Sequence, residues 1–251
     1  MEAMEMAART PGRRPAGPRG GRDGDTTAGG AAADGFEALR RVAPEDLDAR
    51  AQRKRQQIQR AAIGEFLRNG YLGTSMDDVA AAASVSKQTV YKHFGSKEDL
   101  FLAIAKGSVG AVMEELFHRV DLRLGQSGDL EHDLRQLGRR LIELVMHPEL
   151  LALRRLVIGE ANRFPQLGEV WWHGGAARVG AELAPHLTRL AQAGELDITD
   201  PSLAAQQFNW LVLSIPLNQA MFDPYRRYTR EELHRHADAG VRTFLAAYHP
   251  Y

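Results

Sequence analysis

Apolar residues recur at helical spacing from about residue 49 to the end of the chain, and no alternating strand pattern competes with them. In the first helical segment Ile58, Ala62 and Phe66 repeat at i, i+4. Asn69 and Gly70, which accept left-handed torsions, end that segment. The pattern therefore predicts an all-α fold built from packed helices.

Three further helices each begin with a Ser that has a capping partner three residues later. The pairs are Ser75 with Asp78, Ser86 with Thr89, and Ser96 with Asp99. The Ser oxygen at such a position accepts a hydrogen bond from a free amide of the first turn, and an acid in the pair also suits the positive helix end. These signals predict short helices over about 76–83 and 87–93 and a longer helix from residue 97.

The two short helices have the spacing of a helix-turn-helix unit. Val79 lies on one face of the first, and Val90 and Phe94 recur at i, i+4 in the second, so we expect these three to point inward. The second helix has no acid, and its outward side chains are Lys87, Gln88, Thr89, Tyr91, Lys92 and His93. Such a face is typical of a helix that enters the DNA major groove.

The residues from Met76 to Ala80 and from Val85 to Leu100 resemble the DNA-binding signature of the TetR family of bacterial transcription regulators. The resemblance runs from about residue 53 to about residue 111. Ser84 departs from it, because the family usually has Gly before the Val of the turn. Ser tolerates a left-handed backbone less well than Gly, so we expect this position to affect the geometry of the turn.

Eight residues are candidates for DNA contact. Three have the length and hydrogen-bonding capacity to reach base edges, where Lys suits guanine and Gln suits adenine: Lys87, Gln88 and Lys92. The resemblance implies phosphate contacts at four others: Thr89, Tyr91, His93 and Lys97. Lys97 lies beside a helix N-terminus, which favours anions. The amides and hydroxyl at Ser75 are candidates for a further phosphate.

The helices beyond residue 99 are predicted to form a ligand-binding and dimerisation domain. Residues 203–222 are apolar on more than one side. This is more apolar surface than the helix would bury in a single contact with the core. We expect the helices at about 203–222 and 230–248 to form a homodimer interface, and the resemblance implies a four-helix interface there. The alternative is that both helices belong only to the core of one subunit.

The segment from Arg155 to Pro165, the pair Trp171–Trp172 and the later Gly194–Leu196 resemble AefR-like members of the same family. This resemblance implies a pocket for a small, largely apolar effector among the middle helices. Candidate apolar lining residues are Phe117, Leu141, Val145, Trp171, Trp172, Phe208 and Met221. Candidate polar anchors are Asn162, His173 and Asn209. Each aromatic residue can instead be plain core.

The formal net charge is zero, but the charge is unevenly distributed. Residues 50–97 carry nine Lys and Arg against three Asp and Glu, a balance of +6 that a phosphate backbone would use. Gly and Pro make up 12 of the first 49 residues, which predicts a disordered tail at 1–48. We expect a helix-turn-helix domain at 49–98, with its signature at about 75–94, and the second domain at 99–251.

The amino-acid composition excludes several kinds of site. The chain has no Cys, which excludes disulfides and thiolate metal sites, and no run of 18 or more apolar residues that would span a membrane. We expect a cytoplasmic protein with no cofactor, no catalytic residue and no metal site.

Two alternative functions are a helical metal-dependent enzyme and a sequence-tolerant, nucleoid-type DNA binder. Glu115-x-x-His118 and Glu231-x-x-His234 have the spacing of di-metal carboxylate enzymes, but the apolar stripes place their neighbours inward, so we expect these side chains to face solvent. The neutral overall charge argues against a sequence-tolerant, nucleoid-type DNA binder. The interpretation that fits best is a ligand-responsive, homodimeric regulator, most simply a repressor released from a palindromic operator by a small molecule.

Overall fold

The structure, a computed structural model, describes residues 49–119, 124 and 127–250. All regular secondary structure in these ranges is helical, which confirms the predicted fold class. The tail predicted at 1–48 lies outside the described residues. The helices are α1 (Ala49–Gly73), α2 (Met76–Ala82), α3 (Lys87–Phe94), α4 (Lys97–Arg119), α5 (Leu130–Val145), α6 (Pro148–Glu160), α7 (Pro165–Gly174), α8 (Ala176–Gln192), α9 (Pro201–Phe222) and α10 (Arg230–Tyr248).

A first hydrophobic core joins α1, α2, α3 and the start of α4. Phe66 of α1, Val79 of α2, Val90 and Phe94 of α3, and Phe101 of α4 are all buried in it. Side chains of α6 and α7 pack against the same core, so the helix-turn-helix unit is not isolated from the rest of the chain.

The three predicted Ser caps are present. The amides of Asp78, Thr89 and Asp99 each donate to the hydroxyl of the Ser three residues earlier, at 3.1, 3.1 and 3.0 Å. Asp78 also accepts from the amide of Ser75 at 2.8 Å, which completes a capping box. These bonds fix where α2, α3 and α4 begin, because each satisfies an amide that the helix itself leaves unpaired.

The turn between α2 and α3 has a left-handed residue at Ser84, with φ of 51°. It is the only non-Gly residue with positive φ in the described part of the chain. The amide of Val85 donates to the Ala80 carbonyl and that of Ser84 to the Ala81 carbonyl, both at 3.0 Å. This is the Schellman pattern of helix ends, whose left-handed position usually holds Gly. The departure noted in the sequence therefore falls at the position where Gly is most favoured.

Lys97 connects the end of α1 to the start of α4. Its ammonium donates to the carbonyl oxygens of Tyr71 and Thr74, both at 2.8 Å, and lies 4.3 Å from the centre of the Tyr71 ring. Gly70, with φ of 71°, turns the chain so that these carbonyls point toward the ammonium. Partial burial, together with nearby Arg163, lowers the pKa of Lys97 below its usual value. Lys97 thus stabilises the junction, a role that its spacing did not indicate.

A second core is formed by α5, α8, α9, α10 and the C-terminal half of α4. Phe208 of α9 and Phe244 of α10 meet edge to face at 5.5 Å. A Cβ atom on Gly240 would lie 2.6 Å from the carbonyl oxygen of Leu211, so α9 and α10 cross at a point where only Gly fits. No helix among the described residues is both long enough and apolar enough to cross a membrane.

Helix α4 belongs to both cores. Leu100, Phe101 and Ile104 are buried with the helix-turn-helix unit, whereas Val112 and Leu116 are buried in the second core. A displacement of the second half of α4 therefore changes the packing beneath α3, because the two halves are one continuous helix.

The prediction that Glu115 faces solvent is wrong. Glu115 is buried and pairs with Arg140, which reaches it from α5, so the acid is neutralised inside the bundle. Glu231 is exposed as expected, and His234 contacts Glu143 at 2.6 Å. Within the described residues no group of three or more His, Asp or Glu side chains is placed to hold a metal ion, and the side chain of His118 lies outside them.

Replacing Ser84 with Gly is expected to stabilise the protein. A left-handed conformation costs an L-residue about 1–2 kcal/mol, and the greater flexibility of unfolded Gly offsets roughly 0.5–1 kcal/mol of the gain. Ser84→Gly should therefore raise the free energy of unfolding by about 0.5–1 kcal/mol, measured by urea denaturation at fixed protein concentration. The control Ala81→Gly, at an exposed helical site, should lower it by about 1 kcal/mol. A destabilised Ser84→Gly variant would contradict the assigned strain.

Replacing Lys97 is expected to weaken the α1–α4 junction. Lys97→Ala leaves two partly buried carbonyls without their donor, which should lower the free energy of unfolding by about 1–3 kcal/mol. Lys106→Ala, an exposed Lys on the same helix, serves as the control and should change it by less than about 0.5 kcal/mol. Equal stability of the two variants in the same denaturation experiment would show that the Lys97 bonds contribute nothing.

Candidate DNA interface and effector cavity

Helix α3 has the predicted inward and outward faces. Val90 and Phe94 are buried, whereas Lys87, Gln88, Tyr91 and Lys92 are exposed. The other two candidates on this helix, Thr89 and His93, are half-buried at the edges of the exposed face. The burial of two apolar side chains one turn apart sets the rotation of α3, and this rotation presents the long polar side chains outward.

Two side chains of α1 position α3 from behind. Arg55 donates from Nη1 to the carbonyl oxygen of His93 at 2.7 Å, and its guanidinium lies 4.3 Å from the centre of the Phe94 ring. Gln57 donates from Nε2 to the carbonyl oxygen of Ala83 at 2.6 Å. The first contact holds the end of α3 and the second holds the turn before it. Sequence reasoning missed both, because their partners lie 38 and 26 residues away.

At the start of α3, Lys87 forms an ion pair with Asp77 of α2 at 2.9 Å. The hydrogen bond to Asp77 raises the pKa of Lys87 above its usual value, so its ammonium stays charged. Both groups are exposed, and such surface pairs are weak, typically below about 1 kcal/mol. A nucleic-acid acceptor can therefore replace Asp77 as the partner of Lys87.

Ser75 is exposed, but its donors are already used. Its amide and its hydroxyl both donate to the Asp78 carboxylate, at 2.8 and 2.7 Å. A phosphate at Ser75 would displace a carboxylate that also caps α2. Lys97 is likewise engaged through two of its three ammonium protons, which leaves one for an external acceptor.

Burial and nearby cations affect the protonation of His93. Partial burial, reinforced by Arg55, Lys92 and Lys54, lowers the pKa of His93 below its usual value. This shift favours the neutral imidazole in the free protein. A neutral ring still offers one N–H donor to a phosphate.

A cavity of about 60 Å³ lies among α4, α5, α6, α7, α8 and α9. Five of the ten predicted ligand residues line it: Leu141, Val145, Trp171, Trp172 and Asn209. The remaining wall consists mainly of aliphatic side chains, with Trp210 as a third indole. The polar wall residues are Asn209 and Arg154, and sequence reasoning named only the first.

The other five predicted ligand residues lie elsewhere. Phe208 faces α10 because it is one residue, and therefore about 100° of helix rotation, from Asn209. Phe117 and Met221 pack against the second core without lining the cavity. Asn162 and His173 are exposed, the first in the turn after α6 and the second on the outer side of α7. Helix rotation separates them from the site, which apolar spacing alone did not resolve.

A second, more open hollow of about 430 Å³ lies between α5, α6 and the α9–α10 loop. Several Arg side chains line it: Arg140, Arg155, Arg226, Arg227 and Arg230. Four of them are held by protein acceptors. Arg140 and Arg230 pair with glutamates, Arg155 donates to the carbonyl oxygen of Ala220 at 2.9 Å, and Arg227 donates to that of Pro224 at 2.8 Å. This hollow is an alternative to the apolar cavity as a ligand site.

Comparison with known proteins matches both parts of the chain. Residues 58–104 match the family model described as bacterial regulatory proteins of the tetR family, and residues 132–250 match that of the AefR-like transcriptional repressor C-terminal domain. A repressor from Streptomyces coelicolor, SCO4008, is 31% identical over 93 residues, which cover 37% of this chain. That match covers 43% of SCO4008, so less than half of that relative is spanned.

Solved structures extend the similarity to most of the chain. A protein from Mesorhizobium loti MAFF303099, assigned to the TetR-family transcriptional regulators, is 42% identical with a TM-score of 0.75; the match covers 80% of this chain and 100% of that one. The flavonoid-responsive regulator FrrA is 34% identical with a TM-score of 0.63, and the match covers 79% and 98% of the two chains. The sequence motif, the capped helix-turn-helix geometry and the structural similarity over about four-fifths of the chain agree: the chain belongs to the TetR family of bacterial transcription regulators.

Proposed function

We propose that this protein is a homodimeric repressor in the cytoplasm that binds a palindromic DNA operator and leaves it when a small effector binds. The observation that carries the proposal is α3, a short helix with its apolar face buried and an acid-free polar face exposed. An enzyme or a purely structural protein has no need for such a face.

The exposed face of α3 supports a division between base and phosphate contacts. Lys87, Gln88 and Lys92 are long, exposed and able to reach base edges in the major groove. Thr89 and His93 lie at the half-buried edges of that face, where phosphates flank the groove, and the exposed Tyr91 is proposed to reach a phosphate through its hydroxyl. Lys97 contributes a phosphate contact only through its remaining proton, because its other two bond to carbonyls.

The dimer is proposed to form through α9 and α10. Along α9, Leu211, Ile215 and Phe222 share one helical face and are exposed, and Leu203 is exposed near the start of the same helix. An exposed apolar stripe of this length marks an interaction surface. A two-fold axis beside α9 would bury it against its own copy. Binding to a palindromic operator would then require the two α3 helices to lie one turn of DNA, about 34 Å, apart.

The effector response is proposed to pass through α4. Val109, Val112 and Met113 of α4 line the apolar cavity, while Leu100 and Phe101 are buried beneath the helix-turn-helix unit. An effector that favours one position of α4 would favour one spacing of the two α3 helices. Release from DNA follows if that spacing no longer matches adjacent grooves.

Because Gln88 and Lys92 are proposed to contact bases, replacing either one should change the DNA sequence that the protein prefers. An operator is first selected from random DNA with the purified full chain. Gln88→Ala and Lys92→Ala should then each relax the preference at one or two positions, by about 1–3 kcal/mol of discrimination. Binding to the selected operator and to its single-base variants is measured by fluorescence anisotropy.

The control for this experiment is Lys106→Ala, which removes an exposed Lys far along α4 and should leave the preference unchanged. A uniform loss of affinity on every operator variant would show that Gln88 and Lys92 contact phosphates instead. Selection of no preferred sequence at all would refute the proposed regulator.

The dimer assignment predicts that a charge on the α9 stripe separates the subunits. Ile215→Glu places a carboxylate in the proposed interface, where an unpaired charge costs about 3–5 kcal/mol. The variant should sediment as a monomer at micromolar concentration and lose operator binding. Ile158→Glu is the matched control, since Ile158 is 56% exposed and Ile215 59%, but Ile158 lies on α6. A dimeric Ile215→Glu variant would place the interface elsewhere.

A further inference from the structure

Two polar side chains in the wall of the apolar cavity each have a buried N–H group without a hydrogen-bond acceptor among the described residues. The side chain of Asn209 is 1% exposed, and its Nδ2 has no acceptor among the described residues. The Nε of Arg154 is also buried without an acceptor in that part of the chain. Both residues line the same cavity, one from α9 and the other from α6. Buried N–H groups are almost always paired, so two unpaired donors at one cavity are unusual.

The cavity wall contains no acid that could pair with Arg154. Its residues are aliphatic or aromatic apart from Arg154 and Asn209. This differs from the nearby Arg140, which is also largely buried but is neutralised by Glu115. Burial without a counter-charge lowers the pKa of Arg154 below its usual value. Arg154 is only partly buried, but its Nε is buried without an acceptor, so an anion beside the guanidinium would offset the cost of removing it from water.

The Trp side chains of the cavity wall indicate the shape of a ligand that would bind Arg154 and Asn209. Trp171, Trp172 and Trp210 contribute three indole rings, and indole faces pack well against flat rings. The cavity wall therefore offers a guanidinium and an amide as hydrogen-bond donors, and flat indole rings as apolar surface.

The space fits a molecule of one or two rings once a side chain moves. The apolar cavity measures about 60 Å³, and an adjoining hollow between α8 and α9 measures about 280 Å³. Trp172, Ala176 and Trp210 line both. Trp172 is 48% exposed, so its indole can swing outward and join the two spaces. The joined volume reaches the lower end of the range for small-molecule sites, about 300 Å³.

We propose that this cavity binds a planar aromatic carboxylate, whose carboxylate accepts hydrogen bonds from Arg154 and Asn209 while its ring packs among the three Trp side chains. The inference rests on the proposed effector response and adds the chemical class of the effector. A carboxylate suits the site because it satisfies a guanidinium and an amide donor together and supplies the charge that the wall lacks.

The test compares acids with neutral molecules of the same shape. The full chain, free of DNA, is titrated with benzoate, 1-naphthoate and indole-3-acetate and with the three corresponding amides at pH 7, and Trp fluorescence is followed. At least one acid should bind roughly tenfold or more tightly than its amide. Arg154→Met and Asn209→Leu should each weaken that acid by about tenfold, with little change for the amide.

Thermal unfolding of the ligand-free variants separates a binding role from a structural one. Arg154→Met should unfold at the same temperature as the original protein or higher, because it removes a partly buried charge that has no counter-charge in the cavity wall. Arg227→Met, in the arginine-lined hollow, is the control and should leave acid binding unchanged. The proposal is overturned if no acid binds better than its amide, if Arg154→Met leaves the affinity unchanged, or if Arg227→Met abolishes binding.

Operator release distinguishes this inference from the proposed function. If the tighter acid binds through Arg154 but does not release the operator, the carboxylate site stands and the proposed effector response fails. If neutral aromatics release the operator with no dependence on Arg154, the effector response stands and the carboxylate site fails.

Discussion

The orientation of α3 depends on the burial of Val90 and Phe94 against α1 and α4. A helix of eight residues is not stable in water by itself, because nucleation outweighs the few hydrogen bonds it gains. Tertiary packing therefore decides both that α3 forms and which face it exposes. Arg55 adds a hydrogen bond at the C-terminal end of α3 and stacks on Phe94, so the same buried ring fixes the rotation of the helix and anchors its positioning residue.

The sharing of α4 between two cores links this small unit to the rest of the bundle. Its first turns are buried under α3, and its later turns form part of the wall of the apolar cavity. Close-packed interiors do not deform smoothly, so a change at one end of a continuous helix is transmitted as a shift of the whole element. Lys97 stands at the start of this helix and ties it to the end of α1, which makes the junction stiff where movement would reach α3.

Within the part of the chain that the structure describes, the helices beyond the helix-turn-helix unit contain charged side chains of two kinds: those paired between helices and one without a counter-charge. Glu115 and Arg140 neutralise one another, and Arg139 binds Asp238 through two bonds at 2.8 and 2.7 Å, so these groups join helices of the bundle. Arg154 has no such partner among the described residues and faces a cavity with apolar walls. Paired charges of this kind join helices of the fold, whereas the unpaired Arg154 is the feature on which the proposed carboxylate site rests.

The sequence by itself determined the features whose causes lie within one helical turn. It located the Ser caps, the inward face of α3 and the strained turn at Ser84, because each follows from residues three or four positions apart. Only the tertiary structure decided the partners of Arg55, Lys97 and Glu115, which lie 23 to 38 residues away in sequence. The same holds for Arg154, whose place beside buried Leu150 and Val157 on one face of α6 hints at burial but not at a cavity. Whether a buried side chain finds a partner depends on neighbouring helices, and local sequence does not encode their arrangement.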